Sequence, residues 1–344
     1  MKKGSSSVTL SDIAQAAGVS VATVSRVLHN RPDVSDQTRQ RVLATIEALG
    51  YQNARHGRGT HEDVITIALL AHQMDNEYLG TILRGVTDQL EPQRHHLVVH
   101  LTFADREREA ELLEACVQNG IAGVLLLTSM LTDRELYQVA RGRVPMVLID
   151  HYPDTPDMPS LRATNWQGAR EAVNYLIQLG HRRIGCIVGR RGDKISDARE
   201  LGYRSALIEA GLPYDASLVR PGDYTLEAGL IGGAELLERD DRPTAIFACS
   251  DYMALGVMMT AYRLGLRIPE DLSIVGFDDV PLASMLRPPL TTVRQPLYEM
   301  GRMAVQMLLS LIKGESLLSP QVELSTQLVV RESCAPPRRA DIEA

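Results

Sequence analysis

No stretch of the chain reaches the run of about 18 apolar side chains that a membrane helix needs, so no membrane span is expected. The opening MKKGSSSVTL carries lysines but no apolar segment behind them, and is not read as a secretory signal. Cysteines are few and widely spaced, at 116, 186, 249 and 334. Three of them lie in apolar runs, which favours buried free thiols over metal ligands or disulfides, and a cytoplasmic chain is expected. Signatures of catalysis are missing too. There is no G-x-x-x-x-G-K-[ST], no G-x-G-x-x-G after a strand, no G-x-S-x-G and no H-E-x-x-H. Nothing in the pattern argues for an enzyme, a cofactor or a metal site. Positive charge is scarce overall, with a net charge of −7, but it is unevenly shared. Residues 1–60 hold eight Lys and Arg against four acids, a net of +4, so the remainder carries −11. A basic head on an acidic body keeps nucleic-acid affinity at one end, and a head of +4 binds tightly only when two act on one DNA.

The densest signal lies between Leu10 and Leu28, LSDIAQAAGVSVATVSRVL. Ile13, Ala16 and Ala17 form one apolar stripe at helical spacing, and Val24, Val27 and Leu28 form another. Gly18 between them can take the positive φ that closes a helix, and Ser20 can cap the next helix through its hydroxyl. Thr9-Leu10-Ser11-Asp12 fits a capping box. Two short helices about a tight turn make a helix-turn-helix, whose second helix can lie in the major groove of DNA; plain helix packing has the same spacing. Ser35 begins a third helix, with Val42, Leu43, Ile46 and Leu49 facing inward and Gly50 stopping it. The polar, glycine-bearing QNARHGRGTHED at 52–63 reads as a linker.

From Val64 the period changes. VITIALLA, HLVVHL, IAGVLLLT and VPMVLID are apolar, β-rich runs alternating with helical stretches near 78–91, 105–119 and 132–142. The pattern restarts at Trp166 and runs through RIGCIVG, a short strand near 218–222, TAIFACS and LSIVGFD, with helices at 166–180, 197–211, 226–239 and 252–265. Thr291-Thr292-Val293, a helix at 297–313 and a strand-like 321–331 follow, and the tail from 335 to 344 is expected to be disordered. Such alternation builds parallel sheets buried on both faces. Two doubly wound halves imply a cleft at the carboxyl ends of their strands.

The run V-T-L-x-D-I-A-x-x-A-G-V-S-x-x-T-V-S-R-V-L resembles the headpiece of the LacI/GalR family of bacterial transcription regulators. The resemblance continues through Val34-Ser35, Thr38, Arg39 and Leu49-Gly50-Tyr51 and later motifs extend it over nearly the whole chain. It implies an α/β fold: a helix-turn-helix head at 1–51, a hinge or linker at 52–63 and a two-lobed, periplasmic-binding-protein-like body at 64–334. Lobe 1 would comprise about 64–164 and 295–323, and lobe 2 about 165–294 and 324–334, with the chain crossing near 164, 294 and 323. In the head, Val21, Ala22, Thr23, Ser25 and Arg26 occupy the helical turns that reach base edges. Arg26 can pair with guanine or a phosphate. Thr9 and Ser20 can present hydroxyls or helix N-termini to phosphates, and Thr38 and Tyr51 are backbone contacts by resemblance. His29 stands where the family usually has Asn. The linker lacks the family's Ala-x-x-Leu pattern, so minor-groove contact falls instead to Arg55 and Arg58, beside Asn53.

In the body, the resemblance assigns Asp150, Arg199, Ser250, Asp278 and Gln295 to an effector cleft, with Tyr224 as an aromatic stacking position and Asn76 and Tyr78 at the first lobe's edge. Lys194 and Asp197 would lie in a ligand-variable loop. Asp251 and Asp279 serve equally well as helix caps, and His181 as a turn-fixing residue. These residue types suit the hydroxyls and ring of a sugar. The expected protein is a homodimeric repressor that reads a palindromic double-stranded DNA operator under the control of a small metabolite, most simply a sugar. A nucleobase, nucleoside or sugar phosphate as corepressor is the alternative effector. A solute-binding protein and a metabolic enzyme tethered to DNA are the alternative classes.

Overall fold

The computed structural model describes residues 10–28, 34–49, 64–72, 77–140 and 142–338. The chain divides into two compact units, residues 1–63 and 64–344. Among the described residues no helix is long and apolar enough to cross a membrane, and no cluster of side chains could hold a metal. All four cysteines are free; Cys116, Cys186 and Cys249 are buried.

The first unit consists of three helices, α1 (Leu10–Ala17), α2 (Val21–Leu28) and α3 (Asp36–Ala48). Gly18 between the first two has φ +63°, a conformation that a side chain disfavours, and it lets the chain turn sharply into α2. Ser20 caps α2 by accepting the Thr23 amide at 3.1 Å, and Ser35 caps α3 by accepting the Thr38 amide at 3.4 Å. The core is small: Ile13, Ala14, Ala17, Val24, Val27 and Val42 are buried, with Val34 and Ile46 against them. Two inward-facing assignments are corrected. Ala16 is exposed and Ala14 takes its place, because the buried face of α1 centres on residues 13, 14 and 17. Leu43 and Leu49 are also exposed; Val42 and Ile46, four residues apart, occupy the inner face of α3.

The second unit holds two six-stranded sheets. The first is built from β1 (Thr66–Ala71), β2 (His96–Leu101), β3 (Gly123–Leu127), β4 (Met146–Ile149), β5 (Ser160–Ala163) and β11 (Gln321–Leu324), in the order β11-β5-β4-β3-β1-β2. The second is built from β6 (Ile184–Ile187), β7 (Val219–Arg220), β8 (Ala245–Ala248), β9 (Ser273–Asp278), β10 (Thr291–Arg294) and β12 (Gln327–Val329), in the order β12-β10-β9-β8-β6-β7. Every residue of β3, β4, β6, β8 and β9 is buried, which is why these strands read as unbroken apolar runs. Helices α4 (Glu77–Leu90), α5 (Arg106–Gln118), α6 (Asp133–Ala140) and α12 (Leu297–Ile312) belong with the first sheet. Helices α7 (Asn165–Gln178), α8 (Lys194–Glu209), α9 (Leu226–Leu237) and α10 (Asp251–Arg263) belong with the second, and the short α11 (Pro281–Met285) lies between β9 and β10.

The chain passes between sheets after β5, after β10 and again between β11 and β12. The stretch 321–331 is therefore two strands in two sheets, and Leu324 still pairs with Ala163 of the first. The tail is corrected in part. His181 contacts the Ala335 carbonyl through Nε2 at 3.0 Å, and the Arg338 guanidinium meets Asp271 at 2.7 Å. His181 also meets Thr244 Oγ1 at 2.9 Å, and burial pushes its pKa down to about 4. Residues 339–344 lie outside the described residues.

Candidate functional site

Two sites were expected, one in each unit. In the head, Ser20, Val21, Ala22, Thr23 and Arg26 fall on the cap and turns of α2, and Val21, Ala22 and Arg26 are exposed. Ser20, Val21, Ala22 and Thr23 stand at the helix N-terminus, where amide groups and the helix dipole favour phosphate, and Arg26 lies in the last turn. Thr38 is placed on α3, half-buried, with its hydroxyl accepting from Ser35 at 2.9 Å. Thr9, His29, Tyr51, Arg55 and Arg58 lie outside the described residues, as does the side chain of Ser25.

In the body, the carboxyl ends of both sheets enclose a cavity of about 110 Å³. The first lobe contributes His72, Tyr78, Thr128 and Asp150; the second contributes Arg190, Asp193, Arg199, Asp223, Tyr224, Ser250, Tyr252 and Asp278. Of the effector residues expected, Tyr78, Asp150, Arg199, Tyr224, Ser250 and Asp278 meet here. Gln295 does not line the cavity. It stands behind Asp278 and donates to its Oδ1 at 2.8 Å, so it is a positioning residue. Asn76 lies outside the described residues. Lys194 and Asp197 are not in a loop but in the first turn of α8, which Asp193 caps by accepting the Ile195 amide at 2.9 Å.

Arg199 organises the second lobe's half. Its guanidinium is buried, donates to Asn165 Oδ1 at 2.9 Å and the Cys249 carbonyl at 2.6 Å, and sits 3.6 Å from Asp278. It also lies 3.9 Å from the centroid of the Phe277 ring. Burial nevertheless dominates at Asp278 and pushes its pKa up to about 7, against the pull of Arg199 and of the Gln295 hydrogen bond. Tyr224 donates to Asp193 Oδ2 at 2.7 Å, and Ser250 caps α10 by accepting the Met253 amide at 3.1 Å. The Tyr224 ring leans on Gly189: a Cβ there would come within 2.2 Å of it, so any other residue displaces the ring.

The first lobe's half is less complete. Tyr78 donates to Asp150 Oδ2 at 2.5 Å, while Asp150 Oδ1 is buried without a partner among the described residues. His72 Nε2 bonds the Thr128 carbonyl. A carbonyl only accepts, so Nε2 carries the proton and Nδ1 is left as an acceptor, also buried and unpartnered. Burial lowers the His72 pKa and raises that of Asp150. Strain gathers at this cavity: Thr128, Asp150, Tyr224 and Asp278 all have positive φ without being glycine.

His72, Thr128, Arg190, Asp193, Asp223 and Tyr252 were missed in the sequence. For the first two a signal existed: each immediately follows a strand, β1 or β3, at the end where doubly wound sheets bind ligands.

Comparison with known proteins agrees with this geometry. The family model described as bacterial regulatory proteins, lacI family, matches residues 9–53, and one described as a periplasmic binding protein-like domain matches residues 173–334. Catabolite control protein A of Priestia megaterium is 35% identical over 95% of this chain and 99% of its own length. A solved complex of the transcriptional regulator CelR with cellobiose has a TM-score of 0.72 at 34% identity, over 95% of this chain and 99% of that one. The lac repressor dimer bound to operator and the anti-inducer ONPF has a TM-score of 0.72 at 26% identity, over 96% of this chain and all of the other. These relatives are named as regulators and repressors, not as enzymes. With a helix-turn-helix head, a two-lobed body and full-length relatives of this kind, the chain belongs to the LacI family of bacterial regulatory proteins and is a DNA-binding transcription regulator.

Proposed function

We propose that the chain is a homodimeric repressor of a palindromic operator whose DNA affinity is set by a sugar bound in the interlobe cavity. One observation carries the choice of sugar. Beside the cavity the first lobe keeps two buried acceptors without partners among the described residues, His72 Nδ1 and Asp150 Oδ1, which favours a ligand that brings hydrogen-bond donors to them. Adjacent hydroxyls on a ring do this. A phosphate at the same place does not, because it only accepts and would face four carboxylates, Asp150, Asp193, Asp223 and Asp278, against Arg190 and Arg199. The cellobiose complex of CelR supports the same reading. Calorimetric titration with neutral sugars, nucleosides and sugar phosphates tests it; binding of nucleosides alone would replace the sugar.

On the DNA side, Val21, Ala22, Thr23 and Arg26 read base edges, while Ser20 and Thr38 hold phosphates; Thr9, Ser25, His29, Tyr51, Arg55 and Arg58 complete the interface. Two heads on one operator raise the effective concentration of the second, which a head of +4 needs. The solved lac repressor is a dimer on its operator, which supports this arrangement. Selection of bound duplexes from a random pool is expected to return a palindrome, and Arg26→Ala to lose about 1–3 kcal/mol at one base position per half-site. A monomeric mass at micromolar concentration would overturn the dimer.

A further inference from the structure

The cleft has a second chamber. A cavity of about 260 Å³ adjoins the inner one and shares Thr128, Asp150, Arg190, Asp193 and Ile195 with it. The two chambers differ in charge. The charged residues found only in the inner chamber are Arg199, Asp223 and Asp278, whereas Arg106, Arg191 and Lys194 against Asp154 are found only in the outer. Two of those cations are already matched, Arg106 by Glu135 and Lys194 by Asp154. Arg190 and Arg191 are not. Among the described residues neither pairs with a carboxylate, and Arg190 Nη1 has the Met130 sulfur at 4.0 Å as its hydrogen-bond partner.

The wall opposite these guanidiniums is firmly set. Buried Glu109 holds the Ser129–Met130 turn, accepting the Met130 amide at 2.8 Å and the Ser129 hydroxyl. His151, which also lines the chamber, is kept neutral by burial, so it adds hydrogen-bonding capacity without charge. Arg190 and Arg191 thus stand in the turn before α8 and line the second chamber together with the Ser129–Met130 turn, beside the cavity proposed for a sugar ring.

We infer that the outer chamber is an anion subsite, and that the ligand is an elongated carbohydrate: a neutral ring inside and a carboxylate or phosphate outside, held by Arg190 and Arg191. Planar guanidiniums suit both anions through paired N–H donors. The inference rests on the sugar reading and narrows it.

The test titrates the full-length protein with glucose and cellobiose, each compared with its derivatives bearing a carboxylate or a phosphate at C6. In at least one pair the charged member is expected to bind on the order of tenfold tighter than the neutral one at low salt, with the advantage shrinking as salt rises. Which derivative wins separates sugar acid from sugar phosphate. Arg191→Ala should bring the charged-to-neutral affinity ratio toward one, and Arg191→Lys should restore part of it. Retained operator binding by the same samples shows that the variants are folded. If neutral members bind and no charged member binds better, the anion subsite is wrong and the sugar reading stands. If no member binds at all, the sugar reading falls and the subsite falls with it.

Discussion

In the first lobe the strands run β2-β1-β3-β4-β5-β11, and in the second β7-β6-β8-β9-β10-β12, the same winding position for position. One departure is the last strand, parallel to β5 in the first sheet and antiparallel to β10 in the second. The polar groups of the two lobes reach the cleft in different states. Second-lobe carboxylates are already engaged: Asp278 by Gln295 and Arg199, Asp193 by Tyr224 and the Ile195 amide. Behind them, buried Asp251 accepts from Thr292 at 2.5 Å and the Val280 amide at 2.9 Å, and Asp279 pairs with Arg294 and Arg331 at 2.6 Å each. In the first lobe, Asp150 and His72 each keep a buried acceptor open. At the cavity the second lobe's carboxylates are held by protein partners, whereas the first lobe keeps two acceptors without partners among the described residues. A ligand that engages both lobes favours whichever arrangement of them it binds more tightly.

The largest test of the contrast removes the second lobe's central cation. Arg199→Leu leaves Asp278 buried beside Asp150 without its counter-charge and should destabilise the body by about 3–5 kcal/mol at neutral pH. Thermal unfolding measures it. A loss below about 1 kcal/mol would mean that the two halves are equally unfinished.

The next effect follows from Asp278 itself. Its pKa is about 7 in the folded chain against 3.8 ordinarily. The native state therefore keeps a proton that the unfolded chain releases between about pH 4 and 7. The stability this confers is full below pH 4 and is lost as pH rises toward 7, by up to about 4 kcal/mol. Asp278→Asn removes that dependence, so the variant should gain on the parent between pH 5 and pH 8. Asp251, also raised well above the ordinary range by burial, keeps some slope of the same sign in both proteins. Unfolding curves at the two pH values decide it; parallel profiles for parent and variant would place the titration elsewhere.

Asp150→Asn probes the first lobe and should behave oppositely to Arg199→Leu. The amide keeps the shape, and the lost charge is one that burial already opposes. Stability should move by less than about 1 kcal/mol, while sugar affinity falls by about 1.5–3 kcal/mol because a charged acceptor is lost. Calorimetry and thermal unfolding on one preparation separate the two readouts. A stability loss matching that of Arg199→Leu would erase the distinction between lobes.

How much of this was legible in the sequence depends on the length of the signal. Runs such as TIALLA and SIVGFD are buried strands on both faces, and their alternation with helices carries the winding. The capping hydroxyls of Ser20 and Ser35 were legible because a cap acts within three residues. The inner face of α3 was not, because leucine at 43 and 49 fits an apolar stripe as well as Val42 does, and only tertiary packing chooses between them. At the cavity, residues in recurring motifs were found, while Arg190 and Asp193 carry no local pattern and His72 has only its place directly after β1. What makes them functional is that strand ends far apart in the chain converge on one space. Gln295 shows the reverse: a motif residue that acts through Asp278 rather than at the cavity wall.

The smallest effect concerns strain, and its sign is opposite to that of Arg199→Leu. Thr128 has φ 53°, a conformation unfavourable for a β-branched side chain, at the point where β3 gives way to the cavity. Its carbonyl must point at His72 Nε2 so that Nδ1 is left free to accept. Asparagine tolerates this conformation, so Thr128→Asn should stabilise the first lobe by about 0.5–1 kcal/mol, the share of local strain it relieves. It also puts a longer, donating side chain into a cavity of about 110 Å³ and should weaken sugar binding. A rise in melting temperature with a fall in affinity would show that the strain is kept for the site. If stability fell and affinity held, the φ at 128 would be set by the packing of β3 alone. The open acceptor at His72 would then follow from the fold rather than from the ligand.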